Sequence, residues 1–186
     1  MEEIKLLNEN VIIDIYNSRM MKDFPFNERR KLENILGLKT AGIYFPYGYI
    51  VDDKLVAYAF FVKTEIEEKP FYLLDYYAVD SSIRGKGAGS IFINKLKEIV
   101  DGPFICEVEN PDFYQVEEEK AKKIKRINFY YNNDFVDTGS KIKLFDVHYC
   151  ILSSKTLDKK MVDDGIFKIY SSILSKELME RFFSFE

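Results

Sequence analysis

Short apolar runs and stretches with helical spacing alternate along the first part of the chain. An apolar run at residues 4–7 predicts a strand, and Asn10 is a candidate cap for a helix over residues 11–21. Asn27 is a candidate cap for a second helix, which Gly37 would end. The pattern therefore predicts one strand followed by two helices.

The middle of the chain is rich in β-forming residues. Apolar runs at residues 47–51 and 54–64 flank Asp52-Asp53, which predicts a hairpin. The run at residues 71–79 is almost continuously apolar and is interrupted only by Asp75. Such a run is typical of a central strand that is covered on both faces.

Helices and strands continue to alternate in the second half of the chain. Strand-helix-strand units predict a mixed, partly parallel sheet of about six or seven strands flanked by helices, in the α/β (α+β) class. We expect a domain over residues 1–152 and a helical extension over 153–186. The predicted elements are a helix at 90–100, a strand at 104–108, a helix at 116–131, strands at 135–136 and 143–152 around a turn at Gly139-Ser140, a polar connection at 156–164 and a C-terminal helix at 166–183.

Composition and charge exclude several classes of protein. Of the 186 residues, 47% are apolar, which suffices for a core, and the net charge of -4 argues against a nucleic-acid partner. No apolar run approaches the roughly 20 residues of a membrane span. The acidic N-terminus does not resemble a signal peptide, and Cys106 and Cys150 lie in strand-like runs, so we expect a cytoplasmic protein with reduced thiols.

One glycine-rich segment carries candidate chemistry. Arg84-Gly85-Lys86-Gly87-Ala88-Gly89, hereafter the glycine loop, joins the apolar strand at 71–79 to a predicted helix. The free amides and the dipole of a helix start favour an anion, and glycines let phosphate approach the backbone. The segment is therefore typical of a phosphate site.

Two common phosphate motifs fit this loop poorly. A P-loop requires Gly-Lys-Ser/Thr, but here Lys86 precedes Gly87 and Ser90 lies too far along. The dinucleotide fingerprint requires a third glycine at the position of Ser90. A third pattern, Arg/Gln-x-x-Gly-x-Gly/Ala, is met in full.

Two segments resemble the GNAT superfamily of acyl-CoA-dependent N-acyltransferases. Residues 74–90, LDYYAVDSSIRGKGAGS, are similar to its central motif. Residues 126–135, RINFYYNNDF, resemble its helix with an aromatic pair that ends in Gly-Phe. Asp134 stands where the family usually has glycine, and Asn or Asp can adopt the left-handed conformation that this position often requires.

The resemblance implies a centrally splayed sheet and a site for acetyl-CoA as co-substrate. It implies that backbone amides near Ala78 and Val79 hold the pantetheine arm and polarise the thioester, and that Tyr130 protonates the leaving thiolate. No metal is implied. The expected coenzyme A residues are Ala78, Val79, Arg84, Gly85, Lys86, Gly87, Ala88, Gly89 and Ser90.

The general base stays open among three carboxylates on the strands that flank the expected splay. Asp75 interrupts an apolar run and is equally suited to a catalytic or a structural role. Glu109 is favoured as catalytic because it lies near the open end of its strand, whereas Glu107 is favoured as structural. His148 and Cys106 are interpreted as structural, so the expected catalytic set is Tyr130, Glu109 and Asp75.

These observations predict an N-acetyltransferase in which an amine attacks acetyl-CoA directly in a ternary complex. The acceptor would be a small-molecule or peptide amine, and the C-terminal helix could either close a homodimer or cover an edge of the sheet. One alternative is a catalytically weak coenzyme A sensor or protein-interaction module with the same fold. A nucleotide-binding protein is a further alternative.

Overall fold

The computed structural model describes residues 1–186 as strands and helices in alternation. The strands are β1 (Glu2–Leu6), β2 (Tyr44–Val51), β3 (Lys54–Ile66), β4 (Lys69–Val79), β5 (Phe104–Glu109), β6 (Val136–Leu144), β7 (Val147–Ser153) and β8 (Phe183–Phe185). The helices are α1 (Glu9–Ile15), α2 (Met21–Asp23), α3 (Leu32–Thr40), α4 (Ala88–Ile99), α5 (Glu117–Tyr131), α6 (Lys159–Ile173) and α7 (Lys176–Phe182).

The strands form one mixed sheet in the order β1-β2-β3-β4-β5-β7-β6-β8. The β4–β5 pair is parallel and has two residue pairs, Tyr72 with Phe104 and Leu73 with Ile105. A mixed sheet flanked by helices confirms the predicted class. It has eight strands because the chain ends in β8, which the sequence did not predict. The expected opening of the sheet beyond the short β4–β5 ladder stays a prediction.

Two compact units divide the chain. The first unit comprises Met1–Lys63 and Asp75–Lys95, and the second comprises Thr64–Leu74 and Leu96–Glu186. Strands β3 and β4 and helix α4 contribute residues to both. The predicted boundary at residue 152 stays a prediction.

The core of the first unit fixes the N-terminal half of α4. Phe92 is fully buried between two tyrosine rings, with centroid distances of 5.6 Å to Tyr49 and 5.5 Å to Tyr77. The interplanar angles of 12° and 19° make both pairs stacked. Each such pair contributes about 0.5–1.5 kcal/mol beyond area burial. The start of α4 is thereby held against β2 and β4.

Close packing in the second unit depends on a glycine in α6. A Cβ atom added at Gly165 would lie 2.5 Å from Cε1 of Phe71, a fully buried residue of β4. Real side chains do not approach so closely. Gly165 therefore permits α6 to lie directly on this ring, which explains a glycine in the middle of a helix.

Two helix starts that the sequence predicted in the first unit were wrong. Asn8, rather than Asn10, caps α1 by accepting from the Val11 amide at 3.1 Å. Asn27 does not start a helix, since residues 26–28 form a single 3-10 turn. The reason lies just beyond it, where Arg29 is extended and the Arg30 amide donates to the Tyr76 hydroxyl at 2.8 Å instead of to a helical carbonyl.

Helix α3 runs past Gly37 to Thr40, so the predicted end at Gly37 was wrong. Gly37 has no positive φ and no atom within 4 Å of an added Cβ, which makes it an ordinary exposed helical position. The left-handed glycine that follows the helix is Gly42, with a φ of +75°.

The predicted turn at Gly139-Ser140 was also wrong. Strand β6 runs through both residues, and Gly139, with a φ of +71°, lies where the β6–β7 register shifts. The hairpin turns instead at Phe145 and Asp146, whose φ values are +47° and +64°. A phenylalanine seldom occupies such a position, but its amide donates to the Phe182 carbonyl at 3.0 Å and their rings lie 5.0 Å apart.

The C-terminal segment contains two helices and a strand instead of one helix. Asp158 caps α6 earlier than expected, by accepting from the Lys160 and Met161 amides. The chain becomes extended after Ile173, and Ser175 caps α7 by accepting from the Leu178 amide. This serine cap was missed because the apolar stripe continues across it.

Gly165→Ala should lower the free energy of unfolding by about 1–3 kcal/mol, because the new methyl group overlaps the buried Phe71 ring. Urea denaturation measures the change. Gly37→Ala is the matched control, and it should stabilise the protein by about 0.5–1 kcal/mol through helix propensity alone. Equal effects of the two substitutions would contradict the packing described for α6.

Candidate active site

The glycine loop lies between the end of β4 and the start of α4, in the first unit. After Val79, the carboxylate of Asp80 accepts from the Ser82 amide at 2.9 Å and from its hydroxyl at 2.7 Å. These bonds fix a 3-10 turn over Ser81–Ile83 and lower the pKa of Asp80. The loop therefore leaves the strand in a defined direction.

Two glycines give the loop its backbone shape. Gly85 and Gly87 have φ values of +80° and +82°, which other residues rarely adopt. No atom lies within 4 Å of a Cβ added at either position. Glycine is required here for its backbone angles, and the space beside both residues is open.

The amides at the start of α4 are the groups that can bind an anion. The first hydrogen bond of the helix runs from the Ile91 amide to the Gly87 carbonyl at 3.0 Å. The N–H groups of Ala88, Gly89 and Ser90 precede it, and such groups have no acceptor within their own helix. Arg84–Gly87 are exposed and residues 88–90 are half-buried, so the helix dipole favours an anion at an accessible place.

Tyr77 anchors this helix start to β4. Its hydroxyl donates to the Gly89 carbonyl at 2.6 Å, while its ring stacks on Phe92. The sequence did not single out Tyr77, although it shares the strand parity of Val79 and that signal could have found it.

The two cations of the glycine loop are placed differently. Arg84 donates from Nε to the Val79 carbonyl at 2.8 Å and from Nη2 to Asp23 Oδ1 at 2.7 Å. Lys86 is exposed, and its Nζ lies 3.4 Å from the Ser82 carbonyl. The positive charge of Arg84 is thus paired within the protein, whereas that of Lys86 faces solvent.

Asp75 belongs to a buried cluster in the first unit. It accepts from Arg30 Nε at 2.9 Å, from Arg30 Nη2 at 3.2 Å and from the Tyr44 hydroxyl at 2.5 Å. Its side chain is 12% exposed and that of Arg30 is 19% exposed. Burial, with the neighbouring Asp75 charge, raises the pKa of Tyr44, so its phenol remains a donor. These contacts favour the structural role for Asp75.

The carboxylates of β5 also have partners, which lie in the second unit. Glu109 accepts from Lys123 Nζ at 2.7 Å and from the Tyr114 hydroxyl. Glu107 accepts from the Tyr170 hydroxyl of α6. The sequence-based interpretation of Glu107 as structural agrees with this contact to the C-terminal segment.

Tyr130 is buried near the end of α5 in the second unit. Its ring lies 5.0 Å from that of Phe135, and its carbonyl accepts from the Phe135 amide at 3.1 Å. Asp134 closes the helix with a φ of +58°, as expected for a residue replacing glycine. Burial, and then Cys106, raise the pKa of Tyr130, while Arg126 opposes the rise. The phenol therefore stays protonated at neutral pH.

Cys106 and His148 have structural surroundings. Burial raises the pKa of the Cys106 thiol, so the thiol stays protonated, whereas a nucleophile must ionise. The His148 ring stacks on Phe113 with centroids 3.6 Å apart, and its Nδ1 lies 2.6 Å from Glu186 Oε1.

No group of three His, Cys, Asp or Glu side chains is arranged to hold a metal ion. None of the helices has the length and apolar character needed to cross a membrane.

The expected site residues thus fall in both units. The first unit brings together Ala78, Val79 and the glycine loop, and it also contains Asp75. Glu109 and Tyr130 belong to the second unit. Asp23 and Tyr77 complete the surroundings of the loop.

Comparison with known proteins identifies the family. The model described as "Acetyltransferase (GNAT) family" matches residues 10–122, which is more than half of the chain and includes the whole glycine loop. The chain belongs to the GNAT acetyltransferase family. It is therefore an acetyltransferase, and the resemblance seen in the glycine loop is confirmed.

Solved structures of GNAT proteins share the fold. An acetyltransferase of the GNAT family from Bacteroides thetaiotaomicron is 20% identical, with a TM-score of 0.68 over 91% of this chain and 96% of that one. The ribosomal-protein-S18-alanine N-acetyltransferase from Escherichia coli is 16% identical, with a TM-score of 0.55 over 82% and 92%. Arabidopsis thaliana Naa50, in complex with the bisubstrate analogue CoA-Ac-MVNAL, is 14% identical, with a TM-score of 0.59 over 83% and 98%. No curated protein matches the sequence.

Asp75→Asn should lower the free energy of unfolding by about 3 kcal/mol, because it leaves the buried Arg30 guanidinium without its counter-charge. Urea denaturation measures the loss. Asp14→Asn, at an exposed position in α1, is the control and should change stability by no more than about 0.5 kcal/mol. A normal stability for Asp75→Asn, combined with a large loss of turnover, would instead identify Asp75 as the base.

Proposed function

We propose that the protein transfers the acetyl group of acetyl-CoA to an amine by direct attack of the amine on the thioester. The observation that carries the proposal is the glycine loop, with Gly85 and Gly87 in the left-handed conformation before the free amides of α4. This backbone fits a pyrophosphate because it offers several N–H donors and lacks side chains that would obstruct the approach. Lys86 adds a solvent-facing positive charge.

The reaction makes three demands on the protein. The amine must lose a proton, the thioester carbonyl must be polarised, and the leaving thiolate must gain a proton. By family resemblance, we assign carbonyl polarisation to backbone amides near Ala78 and Val79. The amine nitrogen bonds to the carbonyl carbon, and the carbon–sulfur bond then breaks.

Tyr130 is assigned as the acid that protonates the thiolate of coenzyme A. Its phenol is protonated at neutral pH and can therefore donate to the thiolate, although burial makes it a weaker acid than a free tyrosine. Because the residue belongs to the second unit, the assignment rests on its position in the motif and on its protonation state.

Glu109 is the carboxylate that we assign to proton removal from the amine. An ionised carboxylate has about four lone-pair sites. Asp75 uses three of them for Arg30 and Tyr44, whereas the described bonds of Glu109 use two, for Lys123 and Tyr114. Glu109 therefore retains room for a water that relays the proton.

The acceptor is proposed to be an amine of a small molecule or a peptide. Structural relatives include enzymes named for ribosomal protein S18 alanine and for spermidine, besides the Naa50 complex with a peptidyl analogue. These span both acceptor types. Screening a panel of polyamines, aminoglycosides and peptide N-termini for acetyl-CoA consumption would choose between them.

One observation favours a second candidate, a coenzyme A sensor with little activity. Asp75, Glu107 and Glu109 all accept hydrogen bonds from protein groups, so each of the three candidate bases already has a structural partner. A sensor would bind acetyl-CoA without consuming it across the whole amine panel. The acetyltransferase would release free coenzyme A thiol with at least one acceptor.

Acetyl-CoA should stabilise the protein by about 2.7 kcal/mol at a concentration 100 times its Kd. Gly87→Ala should weaken this binding by about tenfold, because a side chain at a φ of +82° costs about 1–2 kcal/mol. Thermal shift and calorimetric titration measure both effects, with Gly37→Ala as the control. A wild-type protein that saturating acetyl-CoA does not stabilise would contradict the proposed function.

Tyr130→Phe should lower kcat by about 100-fold while the Kd for acetyl-CoA changes little, because only proton donation is removed. Since burial raises the pKa of the phenol above its usual value of about 10, Tyr130 should cause no loss of activity below about pH 10. Initial rates across pH test both points. A collapse of acetyl-CoA affinity would show that Tyr130 acts through packing instead.

A further inference from the structure

The ion pair between Arg84 and Asp23 joins the glycine loop to helix α2 across 61 residues of sequence. The Arg84 side chain is 54% exposed, but its partner Asp23 is only 13% exposed. Arg84 also donates to the carbonyl of Val79, the last residue of β4. The guanidinium is thus held at two points, next to the end of the strand.

A second hydrogen bond, on the other carboxylate oxygen, fixes the side chain of Asp23. Its Oδ2 accepts from the Tyr58 hydroxyl at 3.0 Å, and Tyr58 is fully buried in β3. Arg19, in a π-helical turn before α2, lies 5.2 Å over the Tyr58 ring and donates to the Leu55 carbonyl at 2.9 Å. Such turns are frequent at functional sites. Asp23 is therefore a rigid acceptor, unlike most surface carboxylates.

The loop itself has few internal restraints between Ile83 and the start of α4. The Lys86 amide donates to the Ile83 carbonyl at 3.3 Å, and Gly85 and Gly87 have no side chains that could pack. Glycines lose the most conformational freedom when they are ordered. A contact with a residue outside the loop, such as the ion pair of Arg84 with Asp23, therefore does most to order the loop here.

We propose that Asp23 is a positioning residue for the glycine loop, which it holds through Arg84 in the shape that receives the pyrophosphate of coenzyme A. This rests on the proposed function. It also assigns Arg84 to an internal ion pair, so that backbone amides and Lys86 bind the phosphates. Loss of Asp23 would free a positive charge but would also loosen the loop, and ordering the backbone outweighs an exposed charge pair.

Calorimetric titration with acetyl-CoA tests the proposal on the whole chain of 186 residues. Asp23→Asn and Arg84→Met should each weaken binding by about five- to tenfold, and the double variant should be no more than about twofold weaker than either. Asp23→Glu should recover most of the affinity because it keeps the charge. Asp14→Asn removes a carboxylate from α1 at an exposed position and should bind like the wild type.

Salt dependence separates positioning from direct phosphate contact. If Arg84 only positions the loop, Arg84→Met should show the same dependence of Kd on salt as the wild type. Tyr58→Phe removes the bond that restrains Asp23 but keeps the ion pair, so it should weaken binding, although by less than Asp23→Asn does. Thermal unfolding without ligand checks that each variant folds, and Arg84→Met carries the test if Asp23→Asn does not.

Unchanged or tighter binding by Asp23→Asn would overturn the proposal, as would additive losses in the double variant or a shallower salt dependence in Arg84→Met. The shallower salt dependence would in addition show that Arg84 contacts the phosphates directly. A wild-type protein that does not bind acetyl-CoA would instead overturn the proposed function, so the two failures are distinguishable.

Discussion

The contact of Tyr77 with the start of α4 is the interaction on which the proposed acetyl-CoA site depends. Its hydroxyl binds the Gly89 carbonyl, and its ring packs on Phe92, which Tyr49 covers from the other side. An anion site made of backbone amides works only if the helix start points in a fixed direction. These contacts supply that direction without placing a side chain in front of the amides.

In the proposed site, the pairing of Arg84 with Asp23 leaves the backbone amides and Lys86 to bind the anion. The chain also carries a net charge of -4, so its overall field does not attract an anionic substrate. In the proposed site, affinity for pyrophosphate then comes mainly from local geometry, in which two left-handed glycines and a helix start act together with Lys86.

The sequence predicted features that depend on local patterns. The Asp52-Asp53 hairpin, the left-handed Asp134 and the glycine loop each follow from a few neighbouring residues, and the structure reproduces all three. The ion pairs of Asp23 and Arg30 were not predicted because their partners are 61 and 45 residues away, and nothing in a single sequence records such a pairing. The turn at Phe145 was not predicted for the same reason, since a contact with Phe182 outweighs the preference of phenylalanine for a negative φ.

The most direct test of an anion site at the start of α4 is to record backbone amide NMR signals during titration with acetyl-CoA. We expect the largest shifts, and new protection from hydrogen exchange, at the amides of Gly87, Ala88, Gly89 and Ser90. The same amides should respond to coenzyme A without an acetyl group, because the pyrophosphate is the part they bind. Binding that leaves these four amides unchanged and unprotected would show that the start of α4 is not the anion site.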